Sequence, residues 1–118
     1  MRRKPGTLVP LELAICEIAR TRGDDGQREF YGYEMAKRLA AASDTRRPTA
    51  FGTLYRALAR LERAGLVTSR WEAPDRAARE SRPARRLYRL TALGERAVRE
   101  AHAARTRPKP ARRRWVPA

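Results

Sequence analysis

The hydrophobic positions of this chain recur first at helical spacing, then in alternation, then at helical spacing again. Leu8, Leu11, Ile15 and Ile18 share one face of a helix predicted from Val9 to Arg20, with Pro10 tolerated in its first turn. The cluster Gly23-Asp24-Asp25-Gly26 predicts a turn. Met35, Ala36, Leu39 and Ala40 predict a second helix from Gly32 to Ala42, broken by Ser43, Asp44 and Pro48. Leu54, Leu58 and Leu61 stand at i, i+4 and i+7 in a third helix predicted from Ala50 to Ala64. Thr49 is available as its cap and Gly65 as its left-handed stop. The opposite side of this helix carries Thr53, Arg56, Arg60 and Arg63.

After Gly65 the period changes to two. Val67, Ser69 and Trp71 alternate with Thr68, Arg70 and Glu72, and Arg86, Tyr88 and Leu90 alternate with Leu87 and Arg89. The stretch 73–84 between them is polar, bracketed by Pro74 and Pro83, and reads as a loop bearing Arg76, Arg79 and Arg82, with Arg85 just beyond. Thr91 then caps a last helix predicted from Ala92 to Arg105, whose narrow apolar stripe is Leu93, Ala97, Val98, Ala101 and Ala104. Gly94 at its third position rules out a full capping box. Trp71 and Tyr88 are expected to pack in the core or at the base of the hairpin.

Three helices followed by a basic hairpin make a winged helix-turn-helix, mainly α with a small β-hairpin. The boundaries expected are a basic arm over 1–7, the winged domain over 8–91, a C-terminal helix over 92–105 and a basic Pro/Arg-rich tail over 106–118.

Charge sharpens this reading. The 118 residues hold 28 Lys plus Arg against 13 Asp plus Glu, a net +15. Without the cationic residues before Gly6 and from 105 onward, the stretch 7–104 still carries +6. A folded unit that is itself basic, with basic arms, calls for a polyanion such as double-stranded DNA. A major groove about 12 Å wide admits one α-helix, and arginine's planar fork suits phosphates and guanine edges. The arginine-bearing loop suits the backbone or a minor groove.

Catalytic chemistry finds no support. His102 is the sole histidine, and no phosphate-binding glycine loop or nucleophile elbow is present. Glu12 and Glu17, five positions apart, do not converge as an acid pair. No cofactor or metal site is expected. The single Cys16 excludes an internal disulfide and, among Leu13, Ile15 and Ile18, reads as a buried structural thiol. With no membrane-length apolar run and no secretion signal, a cytoplasmic, nucleoid-associated location is expected.

Four segments together resemble the PadR-like transcriptional regulators: Tyr31-Gly32-Tyr33-Glu34; Gly52-Thr53-Leu54-Tyr55-Arg56-Ala57-Leu58; Leu61-Glu62-Arg63-Ala64-Gly65-Leu66-Val67; and Leu87-Tyr88-Arg89-Leu90-Thr91-Ala92-Leu93-Gly94. The resemblance spans about residues 8–104. It implies a homodimer on a roughly palindromic operator, usually as a repressor, joined through Leu93, Ala97, Val98 and Ala101 of the last helix. It also implies that Gly52, Thr53 and Tyr55 open the recognition helix and that Tyr33 lies where the preceding helix nears the DNA backbone. Three features depart from the family's pattern: Tyr31 replaces a histidine, Ala50-Phe51 replaces a Ser-Pro, and the last helix is short and alanine-rich.

The DNA-contacting set expected is therefore Tyr33, Thr49, Gly52, Thr53, Tyr55, Arg56, Arg60, Arg76, Arg79, Arg82 and Arg85. On the residues alone, Tyr55 either meets phosphate or packs under the wing. The tail is either a minor-groove arm or a solvated segment. A non-specific architectural protein and a winged-helix protein-interaction module also stay open, as does the presence of a small-molecule effector.

Overall fold

The computed structural model describes residues 8–43 and 49–106. The arm over 1–7, the breakers Asp44 and Pro48, and the tail from 107 lie outside the described residues. The elements are α1 (Pro10–Asp24), β1 (Glu29–Phe30), α2 (Gly32–Ala42), α3 (Phe51–Arg63), β2 (Val67–Trp71), α4 (Pro74–Arg79), β3 (Arg86–Leu90) and α5 (Ala92–Thr106). The fold is mainly helical with one small antiparallel sheet, as expected.

Helix α1 starts at Pro10, and Glu12 Oε1 accepts the Val9 N–H at 3.2 Å. It runs four residues past Arg20, absorbing Gly23. Arg22 in its last turn is buried and ion-pairs with Glu34 of α2 at 2.5 Å, an anchor that holds the extra turn in place. The chain reverses instead at Gly26, where φ is +86°.

Helix α3 begins one residue later than expected. Ala50 occupies the cap position and no side chain caps it, so Thr49 does not act as the cap. The stripe Leu54, Ala57, Leu58 and Leu61 is fully buried. The helix stops at Gly65, φ +77°, with Leu66 N–H on the Leu61 carbonyl (2.9 Å) and Gly65 N–H on the Glu62 carbonyl (3.0 Å). This is the paired left-handed closure that glycine permits.

The sheet has three strands in the order β1-β3-β2, where the sequence pattern predicts two. β1 pairs Glu29 with Arg89 and Phe30 with Tyr88, while β2 pairs from Val67–Leu90 to Trp71–Arg86. Two residues are too few to show alternation, which is why β1 escaped the period-two reading. The stretch 73–84 is not all loop either: α4 forms because Pro74 takes the first helical position and Ala77 is buried beneath it.

The core gathers Ile15, Cys16 and Ala19 of α1, Phe30, Met35 and Leu39, the α3 stripe, Val67, Tyr88 and Val98. Phe30 and Tyr88 stack with ring centroids 5.7 Å apart. Burial, helped by the carboxylates of Glu12 and Glu17, pushes the Cys16 thiol up to about 12, so it stays protonated.

Thr91 caps α5 as expected: its Oγ1 accepts the Gly94 N–H at 3.0 Å and donates to the Gly65 carbonyl at 2.7 Å. Val98, expected at a subunit interface, is instead wholly buried inside the protomer, where α5 lies on α1. Ala97 and Ala101 are half-buried, and Leu93 remains exposed. His102 Nε2 lies 3.1 Å from Glu17 Oε1, and Arg105 approaches the same carboxylate. No described helix is long and apolar enough to cross a membrane.

Candidate nucleic-acid interface

The amphipathic pattern of α3 decides which of its side chains face out. With Leu54, Ala57, Leu58 and Leu61 turned into the core, Gly52, Thr53, Tyr55 and Arg56 are left exposed on its first turns. Arg56 Nη2 lies 3.4 Å from Thr53 Oγ1, and the guanidinium is otherwise available at the surface.

Tyr55 is held from below. A Cβ on the buried Gly32 would overlap the Tyr55 hydroxyl and lie 2.6 Å from Cζ, so only glycine at 32 lets the ring rest on the backbone of α2. The packing partner is therefore Gly32, and the side chain still keeps much of its surface exposed. Phe51 stacks between this ring and Tyr33 of α2, with centroids 6.4 Å apart on each side and interplanar angles of 27° and 20°. Lys37 Nζ sits 5.6 Å from the Tyr33 centroid. The result is an aromatic row, with an adjacent cation, at the N-terminal end of the arginine-bearing helix.

Two expected DNA-facing arginines are held by carboxylates instead. Arg60 turns back to α1, its Nε 2.8 Å from Oε2 of the buried Glu12. Arg82 makes a bidentate pair with Glu72 (2.6 and 2.9 Å) and a further bond to Glu80 (2.7 Å). Both act on the fold, one bracing α3 on α1 and the other fastening α4 to the hairpin. The Arg60 pair does not show in local sequence spacing, because Glu12 lies 48 residues from Arg60, whereas the partners of Arg82 lie only two and ten residues away.

The remaining wing cations are placed differently. Arg76 and Arg79 are exposed on α4, the latter loosely paired with Asp75 at 3.4 Å. Arg85 is half-buried, its guanidinium 4.1 Å from the Tyr31 ring centroid. Thr49 is half-buried just before α3. Tyr88 packs in the core as expected, whereas Trp71 projects from the end of β2 with Arg86 beside its ring. Sequence reasoning missed Phe51 and Lys37 as surface features. Spacing hides Phe51: it stands three residues before Leu54 and seven before Leu58, in line with the leucine stripe, and it is exposed because it is the first residue of the helix.

The hydrogen bonds from Arg82, then the backbone N–H of Arg85 and the charges of both arginines, outweigh the desolvation that opposes them and hold the Glu72 carboxyl at about 2, well below the usual carboxylate range. Because the folded value is depressed, the stabilisation is present above the unfolded glutamate value of about 4.3 and lost as pH falls through about 2. An NMR titration of the Glu72 carboxyl is expected to show the α4 anchor intact at pH 4 and released only near pH 2. A midpoint near 4.3 would show that the pair does not form in solution.

A sequence model of the transcriptional regulator PadR-like family matches residues 26–100, from just before β1 into α5. The chain belongs to the PadR-like family of transcriptional regulators. Among solved structures, it is similar to a PadR family regulator from Eggerthella lenta DSM 2243, with 32% identity, a TM-score of 0.53, and 80% of this chain and 76% of that one covered. It is also similar to a PadR family regulator from hypervirulent Clostridium difficile R20291, with 24% identity, a TM-score of 0.64, and 80% and 84% covered. Bacillus subtilis PadR in complex with operator DNA shares the fold at 19% identity and a TM-score of 0.60; 91% of this chain matches 52% of that longer one. No curated protein sequence matches the chain. The PadR-like winged helix thus accounts for the order of helices, the hairpin and the helix after it. Among the described residues, no group of three or more His, Cys, Asp and Glu side chains is placed to hold a metal ion.

Proposed function

We propose that this chain is a sequence-specific DNA-binding repressor that acts as a homodimer on a palindromic operator, and that it is not an enzyme. The observation that carries the reading is the exposed N-terminal half of α3, with Thr53 and Arg56 on a rigid leucine-backed rod beside a basic wing, in a chain of net charge +15. The operator complex of Bacillus subtilis PadR supports the same use of the fold. Each protomer would place α3 in a major groove, with half-sites about one helical turn apart.

In this reading Arg56 and Thr53 meet base edges, and the exposed Gly52 lets the helix backbone approach the groove. Tyr33, Thr49 and Tyr55 approach phosphates, and Arg76, Arg79 and Arg85 serve the wing's contact with backbone or minor groove. Arg60 and Arg82 position the elements that carry these groups. The exposed Leu93, with Ala97 and Ala101, supplies the α5 part of the dimer contact, while Val98 holds α5 to its own protomer. The site of action is the cytoplasm, on the nucleoid.

Selection of bound sequences from a random DNA pool is expected to return a two-fold symmetric site bound about 10³-fold or more tightly than random DNA at physiological salt. A ratio near one would overturn the regulator reading in favour of a non-specific architectural role. Failure to bind DNA even at low salt would point to a protein-docking module.

A further inference from the structure

Phe51 is a large apolar side chain standing at the N-terminal end of α3, the end that the proposed function turns toward DNA. It is the first residue of α3 and is 49% exposed. Its ring is fixed between Tyr33 and Tyr55 at 6.4 Å on either side. Those stacks limit its rotamers, so the ring reaches any partner already ordered. A phenylalanine can neither donate nor accept a conventional hydrogen bond. It therefore cannot anchor a phosphate or read a base amide.

In a major groove the one apolar group on the base edges is the thymine 5-methyl. Recognition helices of this type reach base edges with their N-terminal residues, the end where Phe51 sits. We infer that Phe51 is a specificity-determining residue that reads a thymine in each half-site through the apolar contact of its ring with the thymine 5-methyl. This rests on the operator reading above and adds to it a base identity at one position. Arg56, five residues further along the helix, reads a neighbouring base pair.

The test uses the full chain and the site selected from the random pool, with each thymine replaced in turn by uracil. Uracil removes the methyl and leaves every hydrogen-bonding group in place. The expected result is one thymine per half-site whose replacement weakens binding about fourfold, the worth of one methyl-sized group at about 0.8 kcal/mol. The F51A variant is expected to bind the thymine and uracil sites equally, and F51L to keep part of the difference. Wild-type binding that ignores uracil at every position, or an undiminished uracil penalty in F51A, would overturn the role of Phe51 while leaving the operator reading intact. A protein that selects no site at all would overturn the operator reading and this one with it.

Discussion

Replacing Gly94 with alanine is expected to lower stability by about 3 kcal/mol. Gly94 is buried at the third position of α5, and an added Cβ would overlap the Leu66 carbonyl oxygen and lie 2.5 Å from Leu90 Cδ1. That carbonyl cannot simply withdraw, because it accepts the Thr91 N–H at 3.0 Å and lies 3.1 Å from the Thr91 hydroxyl. The same threonine caps α5 through Gly94 itself. Relief of the overlap therefore breaks the cap. Overpacking costs about 1–3 kcal/mol and cap loss about 1, offset by at most about 1 kcal/mol of alanine helix propensity. For a domain of this size the thermal midpoint is expected to fall by about 12–24 °C. Thermal unfolding followed by circular dichroism checks it. Gly52→Ala serves as control: its Cβ would find no neighbour nearer than 3.5 Å, and the midpoint is expected to hold or rise. An unchanged midpoint in Gly94→Ala would mean that α5 does not dock on the Leu66 turn.

The second large contrast lies one helical turn apart on α3. Arg60→Ala is expected to cost about 2 kcal/mol of stability, because it takes the guanidinium from a carboxylate buried at Glu12. The figure stays below the roughly 3–5 kcal/mol of a fully buried pair because the Arg60 side chain is 38% exposed and solvent screens the interaction. Its ratio of operator to random-DNA affinity is expected to stay near wild type. Arg56→Ala is expected to behave in the opposite way. Stability holds within about 0.5 kcal/mol, while operator binding falls by about 1–3 kcal/mol and preference relaxes at one base pair. Urea unfolding and competition binding on the two variants separate the roles. If Arg60→Ala unfolded like wild type and lost base preference, the Glu12 pair would not govern that side chain.

These two arginines also show how far the sequence was legible. Most of what local spacing governs was readable: the Leu54-Leu58-Leu61 stripe, the Gly65 stop, the Thr91 cap, and the alternation of β2 and β3, though not the start of α3, where Thr49 is not the cap. The family segments rest on the same local features. What spacing cannot encode is a partner far along the chain. Arg56 and Arg60 are equivalent on a helical projection, and only the tertiary approach of Glu12 separates them. Arg82 differs, since Glu80 and Glu72 lie only two and ten residues away, and it reads as a loop cation until α4 forms and brings them around it. Val98 reads as one member of a thin stripe, and the packing of α5 on α1 decides that it faces inward. Short elements fail for another reason: β1 and α4 hold too few residues for a period, and their reality lies in pairing with β3 and in the burial of Ala77.

The smallest of these elements bears on what recognition costs. β1 fastens the outer edge of β3, and the bidentate Arg70–Glu29 pair reaches over it from β2, so the root of the wing is clasped on both sides in the free protein. A hairpin held in this way has given up its conformational freedom before any ligand arrives. Contact made through the wing root then carries little entropic penalty, and the lifetime of a complex there reflects the quality of its contacts rather than the folding of a loop.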